Sequence, residues 1–243
     1  MFFKKKISAP PVFDLIKADM HSHLLPGIDD GAPDVETSIR LIKGLRQLGY
    51  KKLITTPHIL WDLYKNTNEI ISEKFELLRQ KLQEENVDVE LEAAAEYYID
   101  DHLEELLSRK EPLLSFGNKL VLVEFSLASA PFDLKEVLFE MQLQGYYPVI
   151  AHPERYTYKA GQKFFFDELK DIGCLFQLNI LSLTNHYGSD TTELAGYLCK
   201  KGYYDLIGTD LHHSRHLDAL QHSSISSQLK RLLDSGKIQN PNL

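Results

Sequence analysis

Seven short apolar runs divide this chain of 243 residues, at 15–20, 52–56, 88–95, 120–123, 147–151, 174–178 and 205–209. Their lengths suit strands, and most of the segments between them carry apolar residues at helical spacing. Val35, Ile39, Ile42, Leu45 and Leu48 fall at three- and four-residue steps. That spacing predicts a helix over 35–48, with Asp34 as its N-cap and Gly49 as its C-terminal cap. Further helices are predicted at 69–85, 103–108, 134–144, 164–171, 191–199 and 225–233. Alternating strands and helices call for a parallel sheet with helices outside it. Seven such units, with no repeat or linker between them, favour a closed or nearly closed barrel over an open sheet.

The C-terminal end of each run carries residues that point to chemistry. The first run leads into His21-Ser22-His23 and, after the turn at Pro26-Gly27, into Asp29-Asp30-Gly31. The second leads to His58, the third to Glu96, the fourth to Glu124 and the fifth to His152. The sixth offers Gln177 and Asn179, and the seventh Asp210 and His212. Any one of these alone reads as a loop histidine, a surface carboxylate or a helix cap. In a parallel barrel, however, the C-terminal strand ends converge on one mouth. Imidazoles and carboxylates packed there repel or lose solvation unless a cation neutralises them. The set holds nitrogen and oxygen donors and no thiolate. That argues against a structural zinc site and suits a catalytic manganese, iron or zinc centre, with the carboxylate share leaning to manganese. The candidate ligands are His21, His23, Asp30, His58, Glu96, Glu124, His152, Asp210 and His212, enough for two or three bridged ions. Arg155, just after His152, and Arg215, just after the last cluster, are candidates to hold a phosphate.

Composition narrows the function. The formal net charge of -8 argues against general nucleic-acid binding. The two cysteines, Cys174 and Cys199, make no disulfide framework and suit a reducing, cytoplasmic setting. No apolar run reaches membrane-spanning length, so no membrane insertion is expected. Residues 1–16, with Pro10-Pro11 near their end, read as a solvated N-terminal extension, and 17–243 as the single domain.

His21-Ser22-His23 with Asp29-Asp30-Gly31, Thr56-Pro57-His58, Glu96-Tyr97-Tyr98, Glu124-Phe125, His152-Pro153-Glu154-Arg155-Tyr156 and Asp210-Leu211-His212 together carry a resemblance. The chain resembles the polymerase and histidinol phosphatase (PHP) superfamily. Within it, the chain is most similar to the bacterial manganese-dependent protein-tyrosine phosphatases of capsule and exopolysaccharide operons. The resemblance implies an α/β fold, a distorted (β/α)7 TIM-like barrel, with three Mn2+ ions; iron and zinc are the alternatives. It implies His21, His23, Glu96 and Asp210 around one ion. Glu96 would bridge to a second ion held by Glu124 and His152, and Asp30, His58 and His212 would hold the third. Arg155 and Arg215 would bind the phosphate.

The expected reaction is phosphotyrosine hydrolysis by attack of a metal-bound hydroxide, with Asp210 or a metal-bound water as candidate proton donor. Cysteine-based tyrosine phosphatase chemistry is excluded. It needs an arginine six residues after the cysteine, where Ile180 and Asp205 stand. By resemblance the partner is a phosphotyrosine protein, a bacterial tyrosine autokinase controlling polysaccharide export. Tyr97, Tyr98 and Tyr156 are candidates for an aromatic pocket or for packing at the rim. Two other functions remain open: a small-molecule phosphatase such as a histidinol phosphatase, and a non-catalytic, metal-stabilised kinase-binding module.

Overall fold

Helix α2 (Val35–Leu48) follows its local chemistry. The Asp34 side chain accepts from the Thr37 N–H, and Gly49 closes the far end with a φ of 118°. Ile39, Ile42, Leu45 and Leu48 are buried, so the helix presents its apolar stripe inward.

The computed structural model describes residues 12–243. Chain order begins with α1 (Val12–Ile16), β1 (Ala18–Asp19) and α2, then β2 (Lys52–Thr55), β3 (His58–Ile59) and α3 (Asn68–Glu84). Next come β4 (Glu90–Ala93), β5 (Glu96–Tyr98), α4 (Asp101–Ser108), β6 (Leu120–Glu124) and α5 (Leu134–Leu143). The rest is β7 (Tyr147–Ile150), α6 (Phe164–Asp171), β8 (Leu175–Asn179), α7 (Ser189–Lys201), β9 (Leu206–Gly208), α8 (Ser214–Gln221) and α9 (Ser226–Asp234).

The strands pair in parallel as β1-β2-β4 and β3-β5-β6-β7-β8-β9. The two sheets are one ring interrupted twice. Pro57, which has no N–H to donate, separates β2 from β3, and Ala94-Ala95 separates β4 from β5. Backbone bonds from Ala94 N to Thr55 O and from Glu96 N to Pro57 O carry the pairing across the break. The ring closes between its first and last strands. Asp210 N donates to His21 O at 2.8 Å, and His23 N to Leu211 O at 2.9 Å. Below, the buried Asp19 carboxylate accepts from the N–H and hydroxyl of Thr209 at 2.9 and 2.6 Å. Lower still, Asn240 spans the seam: Oδ1 accepts from Ile207 N at 2.8 Å, and Nδ2 donates to Ala18 O at 2.9 Å and to Ile207 O. The fold is thus a distorted (β/α)7 TIM-like barrel.

Met20, Ile54, Ala94, Leu122, Val149 and Leu206 fill the barrel interior as one cluster, while Val121, Val123, Ile150, Phe176 and Ile207 belong to the larger core under the helices. This alternation sets what reaches the mouth, because strand residues two apart share a face. Leu122 puts Glu124 inward, Ala94 puts Glu96, Ile54 puts His58 and Leu206 puts Asp210.

The structure departs from the sequence-based expectation at its edges. Residues 12–16, expected as extension, form α1; Phe13 and Ile16 are fully buried, and α1 packs on α9. The predicted strand 15–20 shrinks to β1 accordingly. The remainder of the extension, residues 1–11, lies outside the described residues. Helix α8 has little sequence signal, because its apolar stripe is only Leu217 and Leu220. Among the described residues no helix is long and apolar enough to cross a membrane.

Asn240 is fully buried and satisfies backbone groups of both seam strands. Asn240→Ala is therefore expected to destabilise the fold by about 3 kcal/mol, from buried groups left unpaired. Urea unfolding measures this, and a change below about 0.5 kcal/mol would mean the seam does not depend on Asn240.

Candidate metal centre

At the mouth the side chains meet. His21 Nε2 lies 3.1 Å from Glu96 Oε2 and 3.3 Å from Asp210 Oδ1. His23 Nε2 lies 3.3 and 3.5 Å from the same two oxygens. His58 Nδ1 is 3.3 Å from Glu96 Oε2 and 3.1 Å from Glu124 Oε1. His152 Nε2 is 3.3 Å from Glu96 Oε1. Asp30 Oδ1 faces His58 Nε2 at 3.5 Å and His212 Nε2 at 3.4 Å. All nine candidate ligands from the sequence thus gather in one basin, with Glu96 fully buried at its centre.

These contacts fit coordination better than hydrogen bonding. His58 Nδ1 and Glu96 Oε1 are buried and have no hydrogen-bond partner among the described residues. Donors held at about 2.0–2.2 Å around one ion stand roughly 3.0–3.5 Å from each other, the spacing seen here. The histidine tautomers agree. His21 Nδ1 donates to Gln177 Oε1 at 2.9 Å, and His23 Nδ1 donates to Asp29 Oδ2 at 2.9 Å. His212 Nδ1 donates to the carbonyl of Asp210 at 2.9 Å. Each bond leaves Nε2 as the lone-pair atom facing the basin, the usual way a protein orients a metal-binding imidazole. The Nε2 atoms of His21 and His23 are only 3.3 Å apart, an arrangement that a shared cation stabilises.

The donor atoms fall into four overlapping groups: His23, Asp30, His58 and His212; His21, His23 and Glu96; His21, His152 and Asp210; and His58, Glu96 and Glu124. The third-ion set implied by resemblance, Asp30, His58 and His212, gathers as one group with His23 added. His152 groups with His21 and Asp210, and His58 takes the place beside Glu96 and Glu124 where His152 was expected.

Local backbone geometry serves the site. His152 and Asp210 have φ of 32° and 51°, left-handed values that bulky residues avoid. At His152 this turn is needed, because the preceding Ala151 already faces the barrel interior. Gly208 has no room for a side chain: a Cβ there would stand 2.6 Å from His21 Cβ and 2.8 Å from Gln177 Nε2. Asp29, beside the candidate ligand Asp30, accepts from the Gly31 and His58 N–H groups as well as from His23.

Without cations the basin balances itself with protons. Burial alone would lower the His21 pKa, but the Glu96 and Asp210 carboxylates outweigh it and hold it up at about 9. Burial would raise Asp210, yet His21, His212 and His23 hold its carboxyl well below the ordinary carboxylate range. Asp30 is half-buried, and His212 and His58 bring it down to about 2.

A cavity of about 400 Å³ opens above the basin. Arg155 lines it and donates from Nη1 to Asp210 Oδ2 at 3.3 Å. Arg215 does not line it; it stands exposed on the first turn of α8. Of the tyrosines read as pocket candidates, Tyr97 and Tyr156 are buried, their hydroxyls accepting from Leu114 N and Phe125 N. The aromatic walls are instead Tyr64, from the tight turn after β3, and Tyr187. Neither lies at a strand end, so the strand-end pattern does not reach them.

The chain is thus a parallel TIM-like barrel with a basin of candidate metal ligands at its C-terminal mouth. A family model described as "Capsular polysaccharide synthesis, CpsB/CapC" matches residues 17–232. The chain belongs to that family. Tyrosine-protein phosphatase YwqE of Bacillus subtilis is 28% identical over 194 residues, 80% of this chain and 76% of that protein. Tyrosine-protein phosphatase CpsB of Streptococcus pneumoniae is 28% identical over 200 residues, 80% of this chain and 82% of that one. A solved structure from a study of these two, described as "unique metal-dependent tyrosine phosphatases", aligns with a TM-score of 0.77 at 26% identity, covering 92% of this chain and 94% of its own.

Two outcomes are expected. Gln177→Leu removes the acceptor for His21 Nδ1 and should weaken metal binding roughly 10- to 100-fold by calorimetry, with the fold retained. In chelator-treated protein, His21 (about 9 folded, 6.5 ordinarily) contributes stability that is complete below pH 6.5 and lost as pH rises through 9. Asp30 (about 2 folded, 3.8 ordinarily) contributes stability present above pH 3.8 and lost as pH falls toward 2. Thermal melts should therefore peak between about pH 4 and 6.5; a Tm flat from there to pH 9 would contradict the assignment.

Proposed function

We propose that this chain is a cytoplasmic, metal-dependent protein-tyrosine phosphatase that hydrolyses phosphotyrosine on a bacterial tyrosine autokinase of capsule or exopolysaccharide synthesis. The observation that carries it is the convergence of nine nitrogen and oxygen ligands below a cavity edged by an arginine. Membership of the CpsB/CapC family and the tyrosine-phosphatase names of its relatives support the substrate class. The two free cysteines are in keeping with a reducing compartment.

The ligands would hold three ions, manganese best matching the carboxylate-rich donor set. His21, His23, Glu96 and Asp210 would hold the first; Glu96 and Glu124 the second, with His152 Nε2 3.3 Å from Glu96 and 3.7 Å from Glu124; and Asp30, His58 and His212 the third. His58 is close enough to Glu124 to be shared. Bound divalent cations supply activated water at neutral pH and neutralise phosphoryl oxygens.

The chain's own groups do the rest. Arg155 binds the phosphate: one N–H is tied to Asp210, its other donors make no hydrogen bond among the described residues, and the side chain lines the cavity. Tyr64 and Tyr187 flank the space a phenyl ring enters. Asp210, kept ionised by the imidazoles around it, serves as a ligand and as the anchor of Arg155. It is no proton donor in that state, and phenolate, with a pKa near 10, leaves without one. Arg215, exposed on the first turn of α8 between the cavity-lining His213 and His216, would contact the phosphoprotein rather than the phosphate itself.

Turnover of a phosphotyrosine peptide with manganese, compared with histidinol phosphate, tests the reading. Phosphotyrosine should be preferred, chelation or His152→Ala should abolish activity, and Arg155→Ala should lower kcat/KM roughly 100-fold. Preference for histidinol phosphate would make this a small-molecule phosphatase, and a metal-loaded but inert protein would make it a binding module.

A further inference from the structure

Tyr187 lies on the short helical turn Asn185–Tyr187 after β8, away from every predicted ligand. Its ring nevertheless borders the cavity beside Arg155. The guanidinium of Arg155 stands over that ring, 4.9 Å from its centre, within cation–π range. The Tyr187 hydroxyl accepts from Asn179 Nδ2 at 3.3 Å. The same Nδ2 donates to Asp210 Oδ2 at 2.8 Å, and Arg155 Nη1 donates to that oxygen at 3.3 Å. Asn179, Asp210, Arg155 and Tyr187 thus form a closed circuit, with Arg155 and Tyr187 partly open to the cavity and Asn179 and Asp210 buried against them.

The circuit answers a geometric problem. A guanidinium beside a carboxylate tends to turn its fork and pair through two parallel bonds. If Arg155 did so with Asp210, its donors would be spent on the protein, and Asp210 would be drawn away from His21. Here only Nη1 finds an acceptor among the described residues, at a long 3.3 Å. Asn179 occupies the same carboxylate oxygen from another side, and the Tyr187 ring bounds one face of the guanidinium. We propose that Tyr187 is a positioning residue: its ring holds the Arg155 guanidinium so that the unspent donors face the cavity and receive a tetrahedral oxyanion. This rests on the reading that Arg155 is the phosphate-binding group.

The probe is inorganic phosphate binding to the manganese-loaded protein by calorimetry, a readout independent of turnover. Tyr187→Leu should weaken phosphate binding roughly tenfold, while Tyr187→Phe, which keeps the ring, should stay within about twofold. In an Arg155→Ala background, Tyr187→Leu should have no further effect, because the tyrosine acts through the arginine. Manganese content should not change. Equal losses with and without Arg155, a loss in Tyr187→Phe as large as in Tyr187→Leu, or no loss at all overturns the proposal. Should Tyr187→Leu fail to fold, Tyr187→Phe and Tyr187→Trp decide: retained phosphate affinity in both supports the ring's role, and loss in either overturns it. A chain that binds phosphate as described yet leaves phosphotyrosine intact refutes the phosphatase reading and leaves this one standing.

Discussion

The molecule is arranged around a crowd of ionisable groups taken out of water. Glu96 sits fully buried with His21, His23, His58 and His152 around its two oxygens, and Asp210 is almost as deep. Burying carboxylates and imidazoles together is unfavourable unless charge is balanced within a few ångströms. Protons or cations can do this, and the two compete for the same lone pairs. The barrel makes the crowd possible. Its interior apolar layer supplies the alternate-residue register that turns Glu96, Glu124, His58 and Asp210 toward the mouth.

Orientation is supplied one layer out. Gln177, Asp29 and the Asp210 carbonyl each fix one imidazole, and Asn179 fixes Asp210. None of these is itself needed as a ligand. They turn a cluster of flexible side chains into a rigid array, which lets the site meet an incoming phosphate without rearranging.

How much of this is legible in the sequence depends on the range of the interaction. Helix α2 is legible to the residue, because its caps and stripe are local. The nine candidate ligands are legible as a converging set, because most of them follow the end of an apolar run and barrels gather such ends. The features that escape depend on partners distant in sequence. The carboxamide of Gln177 reaches His21 from 156 positions away. The left-handed turn at His152 is not fixed by residue type, since only a small share of histidines adopt it even though histidine does so more often than most non-glycine residues. The short strands β3 and β5 also escape, because the predicted strands stop at 56 and 95 and only the folded ring shows pairing resuming beyond them. Tyr187 belongs to a turn with no periodicity, so only the folded chain shows what it faces.

The seam also sets an order of events during biosynthesis. Ala18 and Asn240 are separated by 222 positions, yet they share a hydrogen bond that holds the first strand to the last. His21 and His23 lie on one side of that seam, and Asp210 and His212 on the other. On the ribosome, the early half of the ligand set emerges long before its counterpart. The two halves of the candidate ligand set therefore face each other only once the last strand has paired with the first.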